Sequence, residues 1–262
     1  MHPSKNWLFR LCTVAAVIPV FTSVPVLAVD HNNIDAGRPL SFDDADAIAY
    51  RERAIDIGVG LDVPRRGSAG LELEAEFLMG FALNTHASIG FHPSIGGSDF
   101  DPGDVTLGVL HNFNRELENK PALALRGDVS LPTGRDSEDA SFRLRGIMSR
   151  TAKQYDRVHL NVDLNFTPGA EAGTRSFRPG VVLGYSKPLG YPTRFDTTGV
   201  AEIAVQSSED SGTGPVVSAG IGMRRQVTPR SVFDIGLRSD VAGFRGADRD
   251  VVQLIAGYST AF

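Results

Sequence analysis

From residue 53 to the C-terminus, apolar and polar residues alternate one for one in stretches of roughly ten, the period of strands with two unlike faces. In one stretch Val158, Leu160, Val162, Leu164 and Phe166 share a face, while His159, Asn161, Asp163 and Asn165 share the other. In another, Leu71, Leu73, Ala75, Phe77, Met79 and Phe81 oppose Glu72, Glu74 and Glu76. Twelve such segments are predicted, near 53–62, 70–81, 85–92, 104–114, 121–131, 141–152, 156–166, 176–186, 193–206, 215–226, 231–240 and 250–262. Turn-forming clusters separate them. Pro179, Pro188 and Pro192 crowd the eighth and ninth segments, so a division into ten strands is the alternative.

Alternation alone fits both a soluble sandwich and a membrane barrel. The connections distinguish them. Counting from a periplasmic start, the odd connections (63–69, 93–103, 132–140, 167–175, 207–214, 241–249) are the longer set and rich in Gly, Ser, Asp and Glu. The even ones (82–84, 115–120, 153–155, 187–192, 227–230) are shorter, the asymmetry of outer-membrane barrels. Phe81, Phe113, Phe195, Phe233 and Phe262 fall at one end of the strands, and Phe91, Phe142, Phe166 and Phe177 at the other. Two aromatic belts flanking an aliphatic band mark two membrane interfaces. His111, Arg150 and Arg225 break the outward apolar pattern near the presumed periplasmic rim, where long basic side chains reach headgroups. The last strand places Val252, Leu254, Ala256, Tyr258, Thr260 and Phe262 on one face. Its terminal aromatic, with Tyr258, is the ending expected of a signal read by the barrel-assembly machinery. The predicted fold is all-β: a transmembrane, antiparallel up-and-down β-barrel of the bacterial outer-membrane type. Closure is required because an open edge in hydrocarbon leaves its amides unsatisfied.

The N-terminus agrees with that compartment. Lys5 and Arg10 precede an apolar run from Leu11 to Leu27, and Val24-Pro25-Val26-Leu27-Ala28 ends it. Residues 1–28 read as a cleaved signal peptide for export through the inner membrane. Cys12, the single cysteine, lies within it, leaving a mature chain without thiols or disulfides. Residues 29–52 form a leader, periplasmic or plug-like, in which Ser41 caps a short helix through Ala49. The barrel takes residues 53–262. Removing Lys5 and Arg10 leaves 24 basic against 31 acidic residues, which argues against nucleic acid as a partner. The expected partners are outer-membrane lipid and lipopolysaccharide, the assembly machinery and a small-molecule solute.

The inward face carries the candidate chemistry. Parity points Glu72, Glu74, Glu76, Arg126, Asp128, Arg143, Arg145, Asp163, Arg178, Glu202, Arg224, Asp234 and Arg238 into the lumen. These charges fit either a field across a wet pore or a salt-bridge lattice filling a narrow barrel. His86, Ser88, His92 and His159 also point inward. Side chains two apart on a strand are separated by roughly 7 Å, too far for Ser88 to be activated by His86, and six residues span roughly 20 Å, too far for His86 and His92 to share a metal. No catalytic residue, metal site or cofactor is therefore assigned. Acidic residues in the long connections (Asp99, Asp101, Asp136, Glu138, Asp139, Glu209, Asp210, Asp248) suit solvated turns more than a cation bridging lipopolysaccharide.

Four stretches resemble a known family. Arg38-Pro39-Leu40-Ser41-Phe42-Asp43-Asp44-Ala45 is similar to the entry of its mature members. Pro102-Gly103-Asp104-Val105-Thr106-Leu107-Gly108 is similar to a strand start, with Pro102 where glycine is usual. Pro121–Leu125 with Leu131-Pro132-Thr133-Gly134 resembles a paired strand and loop. The ending Gly257-Tyr258 to Phe262 resembles the closing strand, with Thr260 in place of an apolar residue. The family is that of outer-membrane transporters named for a meta-cleavage pathway of phenol degradation. The resemblance implies an outer-membrane barrel with a role in uptake of aromatic or other apolar compounds, and transfers no catalytic residues. Two other classes stand beside a passive uptake channel: a structural or surface-interaction barrel with a closed lumen, and a lipid-modifying barrel enzyme.

Overall fold

Strands with one apolar and one polar face must bury one and solvate the other, and wrapping the polar face inward does both in lipid. The computed structural model describes residues 38–262 apart from 66, 97–98, 136–138, 191–192 and 194. The expected signal peptide and residues 29–37 lie outside the described residues. Every regular element described is a strand: β1 (Arg53–Pro64), β2 (Gly70–Ala82), β3 (Thr85–Phe91), β4 (Ser94–Gly96), β5 (Asp99–Asp101), β6 (Val105–Asn114), β7 (Ala122–Leu131), β8 (Ser141–Lys153), β9 (Asp156–Phe166), β10 (Phe177–Pro188), β11 (Thr197–Gln206), β12 (Val216–Thr228), β13 (Ser231–Gly243) and β14 (Asp250–Ala261). Pairing is antiparallel between neighbours, and β1 pairs with both β2 and β14, which closes the sheet.

The barrel has twelve strands, not ten. β4 pairs with β2 above the point where β3 ends, and β5 pairs with β4. They continue β3 and β6 past interruptions at 92–93 and 102–104. The connection expected over 93–103 is therefore largely strand. Pro93 and Pro102 sit at the two breaks, where a residue without N–H interrupts the ladder. The freed groups find other partners: Leu73 N donates to Pro93 O at 2.8 Å, Gly103 N to Asp101 Oδ1 at 3.1 Å, and Val105 N to Thr133 Oγ1 at 3.0 Å. The ninth barrel strand begins at Thr197 rather than 193, because Leu189 N donates to Thr197 O and the turn closes there.

Three turns at one end have two residues (Leu83–Asn84, Gln154–Tyr155, Pro229–Arg230), with Asn84 and Gln154 at φ 57° and 52°. This is the turn end; the opposite is the loop end. Outward positions are exposed along every barrel strand, including Ile57, Leu73, Leu107, Leu125, Val162, Leu183, Ile203, Ile221, Ile235 and Leu254. Phe81, Phe113, Phe195, Phe233 and Phe262 are exposed at the turn end. Phe91, Phe142, Phe166 and Phe177 are exposed at the loop end, and the last three are neighbours in register. Val162, at the middle of β9, tests this band. Val162→Arg should cost about 2–4 kcal/mol in urea unfolding from lipid vesicles, and no comparable loss in a soluble fold.

The described part of the leader, residues 38–52, lies inside the barrel. It is not the short helix expected from Ser41, because its amides bond to the wall instead of to carbonyls one turn earlier. Ser41 N donates to Glu202 Oε2 (2.8 Å), Asp43 N to Asn161 Oδ1 (2.7 Å), Ala45 N to Ser149 Oγ (3.0 Å) and Ile48 N to His86 Nδ1 (3.3 Å). Donors at 41, 43 and 45 aimed at polar wall residues give an extended backbone. Its path is an arc around the inner wall. Arg38 lies against β1, β2 and β14, Pro39 and Leu40 against β12 and β13, Phe42 against β9 and β10, and Asp43 against β8 and β9. Ala45 packs with Leu110, Ala122, Ala124 and Ile147 of β6 to β8, and Ile48 with Ala54 and Leu78. The arc descends from mid-height at Arg38 to the turn end, where Arg51 N donates to Gly80 O and Gly80 N to Glu52 O, joining it to β1.

Candidate functional site

The lumen divides at this arc. On its loop-end side lies a cavity of about 520 Å³. Ser41 and Asp43 form part of its floor. Arg126, Arg143, Arg145, Glu76, Asp128 and Asp163 line one wall, and Val182 and Ala204, bordered by Arg178 and Gln206, form an apolar patch on another. A charged wall with an apolar patch beside it is a surface for solutes that have both characters.

The charged wall starts from an unusual register. Arg126 of β7 stands directly across from Arg145 of β8, both buried, and Arg143 of β8 pairs with Asp128. Like charges directly opposite are destabilising by themselves, so carboxylates must converge on them. Arg126 donates to Glu76 Oε1 at 3.0 Å and to Asp128 Oδ1 at 2.9 Å. Arg143 Nε donates to the other oxygen of Asp128 at 2.8 Å. Arg145 forms a two-pronged pair with Asp163, its register partner on β9, at 2.7 and 2.8 Å. That fork fixes the guanidinium plane and turns Nη1 inward, where it donates to Asp43 Oδ2 at 2.7 Å and Ser41 O at 2.9 Å. Burial raises the Asp43 carboxyl, but the nearby Arg145, Arg126 and Arg143 outweigh it and hold the group down at about 2. This pair is fully present above the usual carboxylate range and is lost only as pH falls through about 2.

The remaining inward residues are spread round the rest of the barrel, on β2 and β10 to β13. Arg238 pairs with Glu202 at 3.3 Å, and Glu202 also accepts from the Ser41 hydroxyl. Arg224 and Asp234 are register partners, both buried. Arg38 of the leader lies 3.3 Å from Glu74 and 3.7 Å from Asp56. Glu72 sits across from Gly60, and Arg178 pairs with Glu209 near the loop end. Within the described lumen the charges form a lattice of ion pairs with a cavity above it, so neither simple picture of the lumen applies alone.

On the apolar side, the ring of Phe42 fits a slot shaped by absence. A Cβ at Gly184 would lie 2.5 Å from the Phe42 ring, and one at Gly220 would lie 2.7 Å from Leu40 Cδ2. Leu40, Phe42, Val182, Val200 and Ala204 form one buried cluster. The Phe42 ring also stacks at 5.0 Å from His159.

His159 is the centre of a polar chain that the sequence did not reveal. Its Nδ1 is 2.9 Å from Ser149 Oγ and its Nε2 is 3.0 Å from Ser186 Oγ. Ser149 accepts the Ala45 amide, so the chain serves to hold the leader. Asn161 does the same twice, accepting from Asp43 N and donating to Asp43 O. His86 likewise accepts from the leader, beneath Ile48. Neither histidine is given a carboxylate partner by these contacts, as a hydrolase would need. Among the described residues no group of three or more His, Cys, Asp or Glu is arranged to hold a metal. Asp136 and Glu138 of the acidic connections lie outside the described residues.

The family model described as "Putative MetA-pathway of phenol degradation" matches residues 48–250. No curated protein matches the sequence. Among solved structures, the chain is similar to an outer-membrane channel from Pseudomonas putida F1, with 12% identity, TM-score 0.65, and 84% of this chain and 98% of that one covered. It is also similar to the NanC porin (11% identity, TM-score 0.57, 79% and 98% covered) and the KdgM porin (9%, 0.51, 79% and 99%). At these identities the likeness is one of fold: a closed antiparallel outer-membrane-type barrel.

Proposed function

The chain belongs to the phenol-degradation family, and from that membership together with the lumen geometry we propose that it is a passive outer-membrane channel for small amphipathic molecules, aromatic ones among them. The observation that carries this reading is the cavity of about 520 Å³ above the leader, with Arg126, Arg143 and Arg145 on one wall and the apolar patch of Val182 and Ala204, bordered by Arg178 and Gln206, on another. A ring with one polar substituent satisfies both walls, whereas an ion or a hydrocarbon satisfies one. In this reading the loop end faces the medium and the turn end the periplasm. The signal peptide directs export, and the aromatic belts meet lipid and lipopolysaccharide. Tyr258 and Phe262 close the barrel as its assembly signal.

The leader is what limits passage. It touches the wall all the way round, so conduction depends on the fraction of time it is displaced. The purified mature chain in planar bilayers should show small, infrequent conductance steps, and liposomes containing it should admit benzenesulfonate, a charged aromatic that hydrocarbon excludes, faster than protein-free liposomes. Absence of both steps and flux would leave a closed, structural barrel as the better reading. Hydrolysis of labelled phospholipid by the same preparation, removed by His159→Ala, would favour an enzyme.

A further inference from the structure

At the loop end, the connections around β11, β12 and β13 enclose a second cavity, of about 460 Å³, that shares no lining residue with the lumen cavity. Arg175, Ser207, Pro215, Phe244 and Arg245 are among its walls. Alternation places it on the outside of the barrel. Ile203 and Val205 are exposed on the outward side of β11, and Ser207 is next in that series, with the ladder continued by Ser207 N donating to Pro179 O. On β12 the inward Gly220 and Ser218 are buried, so Ala219, Val217 and then Pro215 point the other way. Phe244 N donates to Pro215 O, and the Phe244 ring is exposed, as are Phe177 and Val205 on the neighbouring strands. The cavity therefore opens where the apolar band ends and lipid headgroups begin.

Accepting the orientation argued above, in which the loop end faces the medium, we propose that this cavity is a binding site for a phosphate of lipopolysaccharide, the anionic lipid of that leaflet. The phosphate takes the two arginines, and the acyl chains run down the wall past Phe244 and Val205.

Three observations support the site. Two guanidinium groups line the cavity and no carboxylate does. Arg245 makes no hydrogen bond or ion pair among the described residues. Arg175 is aimed by the loops and left unfilled: its Nη2 donates to Ser211 O at 3.0 Å and Thr213 O at 2.6 Å, while its buried Nε has no acceptor. The nearest acid along the ladder does not neutralise it. Glu209 accepts the Arg175 amide through its backbone carbonyl, but its carboxylate pairs with the inward Arg178. Two cations without an anion repel each other, and a phosphate supplies both the charge and the several acceptor oxygens that guanidinium forks require. Phe244 and Pro215 offer no donor, which suits the sugar that carries the phosphate and the first carbons of its chains. The volume exceeds what a bare phosphate needs and leaves room for that sugar.

The test uses the purified mature chain in detergent micelles, with native mass spectrometry reading the lipid retained. The probes are bisphosphorylated lipid A, the same lipid with its phosphates removed, phosphatidylglycerol, inorganic phosphate and benzenesulfonate. One lipid A per barrel should be retained, and the dephosphorylated form should bind at least roughly tenfold more weakly. Arg245→Glu removes no contact within the protein, so its thermal unfolding should match the unmodified chain while lipid A affinity falls roughly tenfold. Adding Arg175→Gln should abolish retention. Equal retention of the two lipid A forms, or unchanged affinity in Arg245→Glu, would overturn the site. Phosphatidylglycerol or inorganic phosphate competing on equal terms with lipid A would overturn its assignment to lipopolysaccharide, and equal competition by benzenesulfonate would make it a solute site instead. Flux of benzenesulfonate into liposomes should be the same for Arg245→Glu and the unmodified chain. Lost lipid retention with flux intact removes this inference alone, whereas retained lipid without flux in either protein removes the channel reading.

Discussion

Arg145→Met should lower the stability of the barrel by about 3–5 kcal/mol, the cost of removing one partner from a buried ion pair. The loss arises from what is left behind. Asp163 is on β9 and cannot move away, and only about a tenth of its side chain is exposed. Asp43 can leave with the leader, so it contributes to leader release instead of to strand unfolding. The two effects separate by experiment. Urea unfolding in vesicles reports the strands, and restoring neutrality with Asp163→Asn in the Arg145→Met background should recover most of the loss. The double variant would then be strongly non-additive, as expected of side chains in contact. Equal losses in Arg145→Met and in the double variant would mean that the guanidinium holds the wall by packing and not by charge.

Phe42→Ala is the second large effect, and it falls on the leader. The ring is fully buried, and truncating a buried Phe costs about 3–5 kcal/mol, or roughly a factor of 10²–10³ or more in the docking equilibrium. The barrel itself does not have to absorb that cost, because the leader has the alternative of leaving the lumen. Global unfolding should therefore change less than leader docking. Faster cleavage of residues 38–52 by an added protease, with more frequent openings in bilayers, is the expected outcome. If cleavage and opening frequency both match the unmodified protein, Phe42 does not anchor the leader and the floor of the cavity is held by its hydrogen bonds alone.

Much of the barrel is readable in the chain because lipid imposes a local rule. Every second residue must be apolar wherever a strand crosses hydrocarbon, so the predicted segment 156–166 and the observed β9 have the same bounds. The rule weakens where proline enters. Pro93 and Pro102 resemble loop residues in sequence, but in space they are kinks in two continuing strands. The rule cannot distinguish a turn from a late strand start after Pro192, which is why the ninth barrel strand began four residues beyond its expected position. Parity also put Arg126, Arg143, Arg145 and Asp163 on the inward side. It said nothing of which charge meets which, since that depends on the cross-strand register that sets Arg126 opposite Arg145.

The leader was the least legible part. Ser41 followed by acids suggests a capped helix, and nothing local in 41–49 argues otherwise. Its extended form is imposed by Glu202, Asn161, Ser149 and His86, between 38 and 161 residues away. One trace was present in the sequence: glycines at inward positions, such as Gly184 and Gly220, where a pore wall has no need of them unless something lies against it.

By itself, then, the sequence determined the alternation, the inward charges, the aromatic rims and hence a closed sheet, because each follows from contacts between a residue and its solvent, lipid or water. Only the tertiary structure decided that the leader lies in the lumen, that Asp43 completes the coordination of Arg145, and that Phe42 fills the space over Gly184. Those facts depend on which distant strands the closure brings around one short stretch of chain, and no local pattern encodes that.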